Sequence, residues 1–167
     1  ASHCRGERCH KVKYPSSFVP CHTSHFSFNL WPMVEMNLEY TGDLRALATH
    51  GPSGTVIQTD APTDNMGKGE SFSPTDLCGA ALASCILTTI SIKGQNKGWD
   101  LKGATAKVQK IMSDDLPRRI SQLNVDIEIP NQFSEDDKQE MRHIADTCPV
   151  NQSLNPDIQV NLKLEWV

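Results

Sequence analysis

The segment from Leu77 to Ile92 constrains the fold more than any other part of this chain. It is an unbroken run of sixteen apolar or small residues whose only polar side chains are serines and threonines. A helix that spans a membrane needs about 20 apolar residues, so the run predicts a buried helix instead. Its few hydroxyls are distributed over every face, so the helix has no distinct polar face. Other parts of the protein therefore have to cover it on all sides.

The residues that flank the run carry the signals of a helix start and a helix end. Ser73 is a favourable N-cap, Pro74 fits the first helical position, and Asp76 stands three residues after the cap. This spacing predicts a capping box, in which the serine and the acid satisfy each other's free backbone N–H groups. The helix is expected to run to about Lys93, with Gly94 at its end.

The remainder of the body is predicted to form strands and one shorter helix. Strands are expected at 37–48, 54–60, 103–113, 118–129 and 157–167, with a helix over 134–147 that opens on a second capping box. The order ββ-α-ββ-α-β predicts an α+β fold of antiparallel sheet and two helices. One such sheet covers only one face of the central helix, so a second copy of the chain is expected to cover the rest as a homodimer.

The first 35 residues differ from the body that follows them. They show no helical or strand period and lack the apolar core of a secretory signal. We expect 1–35 to be an unstructured or non-native leader, such as a read-through from upstream of a start at Met33 or Met36, and 36–167 to be the folded domain. Zinc binding is the alternative, although the spacing matches no common zinc module. The candidate ligands are Cys4, Cys9, His10, Cys21, His22 and His25.

Charge and cysteine content exclude several classes of function. The net charge of −4 and the lack of a basic stripe argue against a nucleic-acid partner. Three of the six cysteines lie in the leader, and Cys78, Cys85 and Cys148 lie in the body. An odd, sparse set of this kind is not a secreted disulfide framework, so we expect a cytoplasmic protein without a membrane anchor.

The three body cysteines are core residues or redox groups. Cys78 and Cys85 are seven residues apart on one helix face, about 10.5 Å apart at 1.5 Å per residue, which a disulfide cannot span. Cys78 is predicted to be a small buried hydrophobic residue. Cys85, if considered without the rest of the chain, is predicted to be a buried core residue as well. Cys148 precedes Pro149, so it either completes the apolar face of the second helix or caps a following helix, which would lower its pKa.

Two motifs in the right order resemble those of a known family. SPTDLCGAALASC at 73–85 and TCPVNQSL at 147–154 are similar to the OsmC/Ohr family of osmotically inducible and organic hydroperoxide resistance proteins. The resemblance covers roughly residues 37–167. It implies an OsmC-like fold, in which antiparallel sheets pack around a long central helix in an intertwined homodimer with active sites at the interface.

The resemblance also implies a chemistry, that of a cysteine-based peroxidase. Cys85 would attack an organic hydroperoxide and become a sulfenic acid, and Cys148 would resolve it as a disulfide. Arg45 would supply the cation that favours the thiolate. An external dithiol or lipoyl-type reductant would reopen the disulfide, and no bound cofactor or metal is implied.

The chain departs from the peroxidase pattern at the carboxylate that holds the arginine. The family's glutamate position is Thr75 here, and Asp76, which lies across the helix from Cys85, is expected to act only as the capping acid. Glu70 is an alternative partner for Arg45. We expect His50 and His143 to be solvated. The departure leaves a second hypothesis open: a non-peroxidase dimer that binds a small hydrophobic or thiol-bearing ligand at its interface cleft.

Overall fold

The computed structural model describes residues 33–167, of which Val34–Val167 form one compact unit. Almost all of the predicted leader, with every zinc-ligand candidate, lies outside the described residues, so both statements about it stay predictions. Six strands and three helices follow in the order β1 Met36–Gly42, β2 Arg45–His50, β3 Val56–Asp60, α1 Pro74–Gly94, β4 Thr105–Met112, β5 Ile120–Ile129, α2 Glu135–Asp146, α3 Pro149–Ser153 and β6 Gln159–Trp166.

Helix α1 begins as the sequence predicts. Ser73 Oγ accepts a hydrogen bond from the Asp76 backbone N–H at 3.1 Å, and Asp76 Oδ2 accepts one from the Ser73 N–H at 2.7 Å. The two bonds form the expected capping box. At its other end the helix passes into a 3-10 turn, Gln95–Lys97, and Gly98 stops it at a left-handed φ of 72°.

The first sheet has the order β1-β2-β3, and it corrects the prediction of one strand over 37–48. The chain reverses there, because Gly42, Asp43 and Leu44 have φ values of 91°, 50° and 61°. Gly-Asp is a sequence that tolerates this left-handed backbone, and the resulting turn makes β1 and β2 an antiparallel hairpin. The predicted turn after His50 is confirmed.

The second sheet has the order β4-β5-β6. Strands β4 and β5 form the predicted hairpin, whereas β6 runs parallel to β5, with Leu123 opposite Val160 and Ile129 opposite Trp166. A parallel neighbour needs a crossover connection, and α2 with α3 provides it between these two strands. The predicted α+β fold is confirmed, with this pair as the exception to an antiparallel arrangement.

The core lies between α1, the second sheet and α2. Its fully buried large side chains include Leu82, Ile86, Ile90, Leu123, Val125, Ile127, Ile129 and Met141. Helix α1 is long and apolar enough to span a membrane by length and composition alone. Its buried face packs on β4, β5, α2 and α3, as expected for the core helix of a soluble domain.

Among residues 33–167, two surfaces of small or apolar side chains remain open. On α1 the exposed residues include Ala81, Ser84, Thr88 and Ile92, which follow helical spacing. On the first sheet, Met36, Leu38 and Tyr40 alternate along β1 on one face and are 63–71% exposed. Residues 33–167 therefore cover only part of α1, as expected of the folded domain.

Candidate active site

Cys85 and Cys148 come together although 62 residues separate them in the chain. Cys85 lies in the middle of α1 and is half-buried, whereas Cys148 lies between α2 and α3 and is fully buried. Both are free thiols. The Cys85 side chain lies close enough to the Cys148 thiol to contribute to the rise in its pKa. The two cysteines singled out in the sequence are thus neighbours.

Cys148 has the capping position that the sequence allowed, but with a different electrostatic outcome. It is the N-cap of α3, and its Sγ accepts a hydrogen bond from the Asn151 backbone N–H at 3.4 Å. Burial nevertheless raises the pKa of the Cys148 thiol, and the neighbouring Cys85 raises it further. The expected lowering of this pKa is wrong, because the loss of hydration outweighs the N–H bonds offered by a five-residue helix.

Cys78 is exposed, which corrects its prediction as a buried core residue. The second sheet covers the adjacent Gly79, where an added Cβ would lie 3.1 Å from a methyl of Val108. The second sheet does not cover Cys78. Its Sγ lies 3.6 Å from the backbone carbonyl oxygen of Pro74, one turn earlier in the same helix.

Arg45 lies in a cluster with two carboxylates. Its Nη2 forms an ion pair with Glu70, the alternative partner left open by the sequence, and lies 3.5 Å from Asp60 Oδ2. These contacts raise the pKa of Arg45, with the hydrogen bond to Glu70 as the largest cause. Among residues 33–167, no hydrogen bond or ion pair joins this cluster to Cys85.

Asp60 is the member of this cluster that sequence analysis missed. It ends β3, is fully buried, and accepts a hydrogen bond from the Glu70 backbone N–H at 2.9 Å. That bond is the largest cause that lowers the pKa of Asp60, with Arg45 contributing as well. The available signal was weak: an acid that ends a short strand just before an Ala-Pro loop.

The start of α1 has a cation of its own. Lys110 Nζ on β4 donates to Thr75 Oγ1 at 2.8 Å and to Asp76 Oδ1 at 2.6 Å. Asp76 is therefore more than a capping acid, which corrects that prediction. Burial acts to raise the pKa of Asp76, but hydrogen bonds from Lys110 and Ser73 outweigh burial and hold it below its usual value.

The remaining candidates behave as the sequence predicts. His50 is exposed at the end of β2, directly before the turn, and its Nδ1 is 2.7 Å from Ser53 Oγ. His143 is exposed on α2. Among the described residues, no group of three or more His, Cys, Asp or Glu side chains is arranged to hold a metal ion.

The family assignment follows from a comparison of the chain with protein-family models. The model for the OsmC-like proteins matches residues 67–163, a span that includes Cys85, Cys148 and all of α1.

The chain belongs to the OsmC family.

Solved structures agree with this assignment. An osmotic stress induced and detoxification response protein from Psychrobacter arcticus is 42% identical, with a TM-score of 0.76 over 82% of this chain and 99% of that one. An OsmC-like protein from Mycoplasma pneumoniae shares the fold at 18% identity, with a TM-score of 0.69 over 83% and 99%. An organic hydroperoxide resistance protein from Legionella pneumophila does so at 13%, with a TM-score of 0.63 over 78% and 96%. No curated protein matches the chain.

Proposed function

We propose that this OsmC-family protein reduces organic hydroperoxides through Cys85 and Cys148. The observation that carries the proposal is the proximity of a half-buried thiol in a long helix to a fully buried thiol where two helices meet. The Legionella relative named for organic hydroperoxide resistance supports the same class of substrate.

The reaction has three steps. The Cys85 thiolate attacks the outer oxygen of the hydroperoxide; an S–O bond forms, the O–O bond breaks, and the alkoxide leaves and takes a proton from water. The Cys148 thiol then attacks the sulfur of the sulfenic acid, which releases water and leaves a Cys85–Cys148 disulfide. An external dithiol, of the lipoyl type for example, reduces this disulfide and is itself oxidised.

Differences in exposure and ionisation support the roles that we propose for the two cysteines. A peroxide can approach Cys85, which is half-buried, while Cys148 has no exposed surface. The raised pKa of Cys148 keeps it a neutral thiol at neutral pH, so it is a poor first nucleophile. It becomes effective once Cys85 has been oxidised to a better electrophile. Cys85 is therefore the peroxidatic cysteine and Cys148 the resolving one.

A homodimer would complete the site. The open face of α1 borders a groove of about 940 Å³ that runs beside β4 and is lined by small residues such as Gly79 and Ala83. A second copy has two apolar surfaces to cover, this face of α1 and the exposed face of the first sheet. We place the Arg45 cluster near the cysteine pair in this dimer, where the guanidinium would favour the Cys85 thiolate.

A non-peroxidase OsmC-like dimer that binds a ligand at its interface is the second candidate. Two observations favour it: Thr75 bonds to Lys110 at the position of the family's glutamate, and Arg45 is already held by two carboxylates. A guanidinium between two carboxylates is a weaker support for a thiolate than one held by a single carboxylate. The ligand would be a small hydrophobic or thiol-bearing molecule.

The test is peroxide consumption by the reduced full-length protein with a dithiol reductant present. We expect the wild type and Cys78→Ser to turn over cumene hydroperoxide, and Cys85→Ser to be inactive. Cys148→Ser should consume about one equivalent and stop at a sulfenic acid that a dimedone-type probe traps. If the wild type leaves the peroxide intact, the ligand-binding function takes the place of the peroxidase.

A further inference from the structure

We propose that Thr89 is a further catalytic residue, whose hydroxyl donates a hydrogen bond to the sulfur of Cys85. This inference deepens the proposed peroxidase function and rests on it. The observation is a contact along α1: Thr89 Oγ1 lies 3.7 Å from Cys85 Sγ, one helical turn away. The Thr89 side chain therefore touches the atom that would react.

The hydroxyl of Thr89 differs from that of the adjacent threonine, because within the described residues it makes no hydrogen bond to a backbone carbonyl. A threonine inside a helix commonly donates to a backbone carbonyl three or four residues earlier. Thr88 does so, with bonds to the carbonyl oxygens of Ser84 at 2.9 Å and Cys85 at 3.2 Å. Within the described part of the chain, the Thr89 hydroxyl has Cys85 Sγ as its one hydrogen-bond partner.

The position of Cys85 makes a neutral donor useful there. The contacts of Arg45 in one chain are with Asp60 and Glu70, and those of Lys110 are with Ser73, Thr75 and Asp76, so both cations are partly neutralised. The Cys148 thiol, which also lies near Cys85, has a raised pKa. A hydroxyl in a half-buried position stabilises a thiolate without bringing a charge that would have to be desolvated.

The same hydroxyl stays in reach of the oxidised product. When Cys85 attacks the peroxide, one of the lone pairs of its sulfur forms the new S–O bond. The hydroxyl can then rotate and donate to the sulfenic oxygen, with no proton transferred from Thr89 at any step. Thr89 thus acts by hydrogen bonding alone, and the atom balance of the reaction is unchanged.

The two adjacent threonines provide a matched experiment. The full-length reduced protein is treated with iodoacetamide at pH 7, and the alkylation rate at Cys85 is measured by peptide mass spectrometry. Thr89→Val, which keeps the shape and removes the hydroxyl, should slow alkylation about three- to tenfold. Thr89→Ser should retain most of the wild-type rate. Thr88→Val, which removes a hydroxyl bonded only to backbone, should match the wild type.

Alkylation needs no peroxide, so this result is separable from the proposed function. A wild type that consumes no peroxide but shows the Thr89 effect would keep the hydrogen bond and lose the peroxidase. The inference is overturned if Thr89→Val reacts as fast as the wild type, or if Thr88→Val slows the reaction equally. Thr89→Ala provides a second variant without the hydroxyl, should Thr89→Val fail to show the wild-type circular dichroism spectrum.

Discussion

Asp60 Oδ2 lies 3.5 Å from Arg45 Nη2, and the same oxygen accepts the Glu70 backbone N–H at 2.9 Å. One buried carboxylate therefore fixes both the arginine of β2 and the loop that carries its second partner. Glu70 differs from Asp60 in that its side chain is 62% exposed. The fixed element of the cluster is Asp60, and Glu70 is the element that solvent can reach.

Replacement of Asp60 should cost more stability than replacement of Glu70. Asp60→Asn presents an amide group to a site built for an anion, whereas Glu70→Gln changes an exposed ion pair that contributes little. We expect a clearly lower melting temperature for Asp60→Asn and a nearly unchanged one for Glu70→Gln. Thermal unfolding followed by circular dichroism measures both, and equal melting temperatures would contradict the ranking.

Asp60 should also give the protein an acid-sensitive contribution to stability. Its pKa is lowered in the folded state from an ordinary value of 3.8. The stabilisation is therefore present above that ordinary value and is lost as pH falls through the lower folded value. Urea unfolding at pH 5 and pH 3 should show a smaller loss of stability for Asp60→Asn than for the wild type. A loss of the same size in both would rule out Asp60 as a source of this dependence.

Removal of the Lys110 ammonium should destabilise the start of α1. Lys110→Met leaves Asp76 with its capping bonds but without its ion pair, and we expect a loss of about 1–2 kcal/mol in the free energy of unfolding. Lys107→Met is the matched control, because Lys107 is exposed on the same strand. Urea denaturation at pH 7 compares the two variants, and a loss of equal size in the control would argue against a specific role for Lys110.

Cys148 should make stability fall at alkaline pH. Its pKa is raised in the folded state, so the folded chain keeps a proton that the unfolded chain loses once pH exceeds the ordinary thiol value of about 8.5. Stability is unaffected below that value and declines above it. Cys148→Ser, which preserves an N-cap oxygen for α3, should lessen the decline between pH 8 and pH 10 under reducing conditions. An identical decline in both proteins would contradict the raised pKa.

Two adjacent positions on α1 separate folding from assembly. Leu82 is fully buried inside the chain, so Leu82→Asp buries an unpaired carboxylate and should prevent folding. Ala81 is exposed on the open face, so Ala81→Asp should leave the chain folded and weaken the proposed homodimer. Size-exclusion chromatography with light scattering distinguishes the two outcomes. A dimeric Ala81→Asp protein would show that the partner covers another surface.

Local sequence signals predicted the parts of the fold that depend on neighbouring residues. The capping box of Ser73 and Asp76 lies within four residues, and the strand alternation of β6 follows from a two-residue period. The parallel direction of β6 relative to β5 depends instead on the end of the sheet at which the chain emerges from α2 and α3. No local sequence pattern specifies this position. The break at Asp43 and Leu44 was missed because the apolar alternation resumes on the far side of the turn.

The sequence predicted only those site residues that residue type and spacing within a motif can identify. The resemblance selected Cys85 and Cys148, and the structure brings them together. Burial determined the direction of the pKa shift of Cys148. The sequence shows that this thiol precedes a helix N-terminus, which lowers a thiol pKa, but it does not show the loss of hydration that raises it. The Asp60 contact spans ten or more residues, and the Thr89 contact depends on a side-chain rotamer, so neither could be read from a motif.

The most direct test of the account is the disulfide that forms when the reduced protein receives one equivalent of an organic hydroperoxide. Cys148 lies at the junction of two helices, where the backbone can shift by the small distance that a disulfide requires. Peptide mapping by mass spectrometry should show a Cys85–Cys148 bond with Cys78 still free. A protein that stays folded with Cys85 reduced while the peroxide persists would contradict the cysteine-pair mechanism.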